Sequence, residues 1–131
     1  MIKRHQVKVS AEALRKHAED SDLAEKFGDL LAAAQDAERK LREAESRATR
    51  GTDVRGLALR FDAALTAAMR AAYAAERAAI GPRGYDDRIY RRKAKAKPNV
   101  RPLTAEAERL LTLRESHRLN GIPPAPLDLA V

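Results

Sequence analysis

From Leu23 onwards the apolar residues recur in steps of four and three: Leu23, Phe27, Leu30, Ala34, Ala37, Leu41, Ala44 and Ala48. This unbroken heptad seam predicts a helix over 23–49 with one narrow apolar stripe that another helix must cover. The residues between the seam positions are mostly Glu, Asp, Lys, Arg and Gln, which suit a solvated face. A second seam, Val54, Leu57, Phe61, Leu65, Ala68, Ala72, Ala75 and Ala79, predicts a helix over 53–79 that ends before Gly81-Pro82. Gly51 offers a C-cap to the first helix, and Thr52 and Asp53 offer N-caps to the second. Two helices of 27 residues, each ~40 Å long, joined by three residues, predict an antiparallel helical hairpin.

Shorter elements flank this pair. Ser10 suits an N-cap, and Leu14 and Ala18 share a face of a short helix over 11–18. Extending the first seam backwards from Leu23 lands on Asp20 and Lys16, so its register breaks there. Either the helix restarts at Asp22, whose spacing to Glu25 is that of a capping box, or a continuous helix changes face. Residues 81–102 hold Gly81, Pro82, Gly84, Pro98 and Pro102 and show no helical period, which predicts an irregular connector. A third helix over 103–121 follows from Leu103, Ala107, Leu110, Leu111 and Arg114, with Thr104 as N-cap and Asn120-Gly121 as stop. The last ten residues, Ile122–Val131, read as an extended, proline-rich tail. The chain is thus all-α, with an arm (1–9), a hairpin domain (10–80), a basic connector (81–102), a C-terminal helix (103–121) and an apolar tail (122–131).

Composition changes this picture in one respect. With two Phe, three Tyr, no Trp and many alanines, a core of Ala and Leu buries little area per residue, so further burial against a partner is expected. The broad hairpin face, with Phe61, Leu65 and Met69, is the expected docking surface for a second copy or another subunit. In the tail, Ile122, Leu127 and Leu129 are apolar knobs of the kind that enter a groove.

Charge points to a second kind of partner. The net charge is +7, and residues 81–102 alone carry eight basic side chains against two acidic ones. Arg83, Arg88, Arg91, Arg92, Lys93, Lys95, Lys97 and Arg101 there, with Lys3, Arg4 and Lys8 in the arm, are the residue types that follow phosphates. Tyr85 and Tyr90, set among them, suit stacking on unpaired bases. The expected function is a non-enzymatic nucleic-acid-binding accessory protein. A structural or adaptor subunit of a larger assembly, or a binder of an acidic protein surface, is the alternative.

The chemistry of an enzyme is not visible. His5, His17 and His117 are widely spaced, no metal-ligand pattern or phosphate-cradling glycine loop occurs, and Asp86-Asp87 reads as local charge balance. Neither a metal nor a cofactor is expected. The absence of cysteine and of a ~20-residue apolar run fits a cytoplasmic chain that does not enter a membrane.

Overall fold

The computed structural model describes residues 8–47 and 52–125. Among them lie six helices and no strand: α1 (Ala11–Glu25), α2 (Phe27–Ser46), α3 (Val54–Ile80), α4 (Arg83–Asp86), α5 (Arg88–Ala94) and α6 (Arg101–Asn120). No helix is long and apolar enough to cross a membrane among the described residues. Lys3, Arg4, Ala48, Gly51, Leu127 and Leu129 lie outside the described residues.

The seams locate the core. Ala34, Leu41, Phe61, Leu65, Ala68 and Ala72 are buried together, with Ala58 of α3 and Ala107 and Leu110 of α6. What the seams miss is that α3, not the first long helix, is the central element, with α1, α2, α4 and α6 all packed on it. Ala58, Ala71 and Ala74, which lie off the seam, are fully buried. Methyl-sized side chains on several faces of α3 let several helices approach closely, so an alanine run that looked weakly apolar becomes the axis of the fold.

Four boundaries depart from expectation. The helix break falls at Lys26 rather than Asp22: α1 continues through Glu25, and Lys26 (φ −85°, ψ −6°) separates it from α2. Consequently the long helix does not begin at Leu23, and α2 has 20 residues. The third helix opens at Arg101, with Pro102 in its first turn, where a missing N–H costs nothing. Thr104 is therefore inside the helix, its hydroxyl 3.4 Å from the Val100 carbonyl. Finally, residues 81–102 are not an irregular connector, since they contain α4 and α5. Val54, by contrast, starts α3 as expected, and the Asp53 carboxylate accepts the Gly56 N–H at 2.8 Å.

A second small core explains why the basic stretch is ordered. Ile80, Ala94 and Val100 are buried together, with Ala79 and Tyr90 packed on them. Gly81, at φ +98°, ends α3 in a conformation that side chains rarely adopt. Gly84 then presses against α3, and a Cβ built there lies 2.5 Å from Ile80 Cγ2. Gly84→Ala is therefore expected to cost on the order of 1–2 kcal/mol by overpacking. Urea unfolding checks it, and an unchanged midpoint counts against the contact.

Candidate nucleic-acid interface

The cationic site is assembled from two distant parts of the chain. Ser10 caps α1 by accepting the Ala13 N–H on its hydroxyl (3.0 Å), and the same hydroxyl donates to Asp86 Oδ1 (2.9 Å). The Ser10 N–H donates to Asp86 Oδ2 at 2.8 Å. Asp86 thus holds the start of α1 on α4, bringing Lys8 and Val9 beside Arg83 and the residues after it. Asp87 is committed to its own chain as well. It accepts the Tyr90 N–H at 3.0 Å as N-cap of α5, and that bond, with the Arg83 charge, holds its carboxyl below the usual range.

Between these parts runs an open groove of about 820 Å³, lined by Lys8, Arg83, Arg88, Arg91, Arg92 and Lys95, together with Val9, Asp86, Asp87 and Ile89. Six cations face two carboxylates there, so the groove presents an excess of positive charge. Ile89, 68% exposed, projects among the cations.

The cations divide into fixed and free. Arg91 donates to the Gly84 carbonyl at 3.0 Å, Arg83 reaches Asp87 at 3.5 Å, and Lys95 lies 4.0 Å from the buried Glu76 carboxylate. Arg88, Arg92, Lys93 and Arg101 are exposed and make no hydrogen bond or ion pair among the described residues. Arg88 and Arg92, one turn apart, share the outward face of α5, because its other face is turned in with Tyr90 and Ala94, and the exposed Lys93 stands on the flank between the two faces.

The tyrosines correct the sequence reading. Tyr85 does not stand free to stack, since its hydroxyl donates to Asp20. Arg77 donates to the same carboxylate from Nε (2.8 Å) and Nη2 (3.1 Å). Burial acts to raise the Asp20 carboxyl, but the Arg77 and Tyr85 hydrogen bonds and the Arg77 charge outweigh it and hold the group below its ordinary value. Burial and the Asp20 carboxylate push the Tyr85 phenol up. Tyr90 packs on the small core, with the Arg83 guanidinium 4.5 Å and the Lys97 ammonium 5.6 Å from its ring centroid.

The expected partner-binding residues are placed differently again. Phe61 and Leu65 are 2% and 1% exposed and belong to the chain's own core rather than to a docking surface. Met69 and Ile122 pack against that same core. The burial that α2 and α3 lack between themselves comes from α6 and α1, tied to α3 by Arg118–Asp62 (2.8 Å), His117–Ala58 carbonyl (2.7 Å) and Asp20–Arg77.

Sequence reasoning found Ser10 as the cap of α1 but missed its pairing with Asp86, and it missed the roles of Asp20 and Ile89. Ser10 and Asp86 stand 76 positions apart, and no local spacing announces such a pair. No family model, curated protein or solved structure matches the chain.

Proposed function

We propose that this chain is a non-enzymatic nucleic-acid-binding accessory protein that takes hold of phosphate backbone by the groove and the outward face of α5. The observation that carries the reading is the set of unpaired cations on one ordered helix, Arg88 and Arg92 on its outward face and Lys93 on its flank, beside a groove in which six cations face two carboxylates. Cations carried on a packed helix require no ordering of the backbone on meeting a row of phosphates, only of their own side chains. The scaffold we infer beneath them is an antiparallel α2–α3 hairpin. The link from Ser46 to Val54 reaches at most ~28 Å when extended, short of the ~30 Å length of α2, which favours an antiparallel over a fully overlapped parallel pairing of the two packed helices.

The Arg88→Gln, Arg92→Gln, Lys93→Gln triple variant tests the reading. None of the three side chains supports the fold, so helicity and stability are expected to stay unchanged. Affinity for a nucleic-acid duplex is expected to fall roughly 20-fold at moderate salt, and the slope of log affinity against log salt to flatten by about 3. Retention of the wild-type affinity and salt slope overturns the proposal.

A further inference from the structure

The identity of the ligand follows from what the aromatic rings are doing. Proteins that grip single strands combine a cationic track with exposed aromatic rings on which successive bases stack, and those rings supply much of the affinity. This chain has two Phe, three Tyr and no Trp, and all five rings lie within the described residues. Phe61 is buried in the main core, and Phe27 and Tyr73 pack against it. Tyr85 is tied by its hydroxyl to Asp20 and meets His17 edge-on, with ring centroids 6.4 Å apart. Tyr90 packs on Ile80, Ala94 and Val100 and carries Arg83 and Lys97 against its ring. Every aromatic side chain is committed to the fold.

What remains outward on α5 is charge, carried by free side chains on an ordered helix. Arg88 and Arg92 stand one helical turn apart, Lys93 beside Arg92, on a helix whose opposite face is anchored through Ala94 and the Arg91–Gly84 hydrogen bond. A set of charges on an ordered helix without stacking rings matches a ligand whose phosphates are dense and regularly spaced. A duplex carries one charge per ~1.7 Å of axis, twice the density of one of its strands. Resting on the nucleic-acid reading above, we infer that the ligand of this surface is double-helical nucleic acid, gripped by its backbone, and not a single strand.

Fluorescence anisotropy with the full chain, at one salt concentration, compares a duplex with each of its separated strands at equal length. The duplex is expected to bind about tenfold more tightly, and Tyr90→Leu to leave single-strand binding unmoved. Single strands bound as tightly as the duplex, or a Tyr90→Leu variant that folds normally yet loses single-strand binding, overturn the inference while leaving the nucleic-acid reading intact. Binding to neither form removes both.

Discussion

Phe61→Ala is expected to lose about 3–5 kcal/mol of unfolding free energy, a large fraction of the ~5–15 kcal/mol that holds a domain of this size together. The ring is 2% exposed and meets the His117 ring edge-on, with centroids 4.7 Å apart. Around it the core is largely alanine, with Leu65, Leu41 and Leu110 as the larger members. Alanine has no rotamer to swing into a vacated space, so the cavity left by the ring stays open and its full cost is felt. His117 adds to the effect. Its Nε2 is 2.7 Å from the Ala58 carbonyl, and Phe61 packs on the ring that makes this bond between α6 and α3. Urea unfolding followed by circular dichroism measures the loss, and Phe61→Leu is expected to recover most of it. Had Phe61 been a partner anchor, Phe61→Ala would leave unfolding unchanged and alter only association, and that result would overturn this placement.

How far the sequence disclosed the fold depends on the range over which each signal acts. Positions three and four apart sit on one helix face whatever the rest of the chain does, so the seam through Ala34, Leu41 and Ala44 and the one through Phe61, Leu65 and Ala68 identify buried residues directly. The break at Lys26 is hidden for the same reason. Leu23, Phe27 and Leu30 keep their spacing across it, and the Asp22–Glu25 capping signal has no structural counterpart. In the basic stretch, Gly81, Pro82 and Gly84 mask two short helices whose inward residues, Tyr90 and Ala94, are one turn apart but too few to show a period. Gly84 is there because α4 lies against Ile80, not because the chain is loose.

The polar framework of the site follows a different logic. Asp86 with Ser10, and Asp20 with Arg77 and Tyr85, join positions separated by 57 to 76 residues. Asp20 looked like a register fault in the first helix, and Tyr85 like a stacking platform. Each makes sense only once α1, α3 and α4 are side by side. Eight basic residues in one stretch were legible as a binding signal, but which of them are free depends on Gly84, Asp87 and Glu76, partners that composition does not reveal.

Asp20→Ala is expected to cost about 2–3 kcal/mol of stability. Three charge-assisted hydrogen bonds converge on this carboxylate, and truncation strands Arg77 and Tyr85 together. The figure stays below the 3–5 kcal/mol typical of a fully buried pair, because the Arg77 side chain is 42% exposed and water takes over part of its solvation. The effect depends on pH in a defined direction. The folded-state pKa of Asp20 is depressed, so its contribution is complete above the ordinary carboxyl range near pH 4 and is lost as pH falls through the lower folded value. Tyr85 bounds the other side: its folded pKa is raised, so its contribution is complete below about pH 10 and is lost as pH rises beyond that. Denaturant titrations at neutral and acid pH are therefore expected to show a gap between wild type and Asp20→Ala that is widest at neutrality and closes below pH ~4. A gap independent of pH sinks the assignment. Because the same carboxylate ties α1 and α4 to α3, its loss leaves the Lys8 side of the groove with one tie fewer beside the Ser10–Asp86 bonds. Duplex binding is then expected to weaken although no groove cation has been touched, which separates positioning of the charges from the charges themselves.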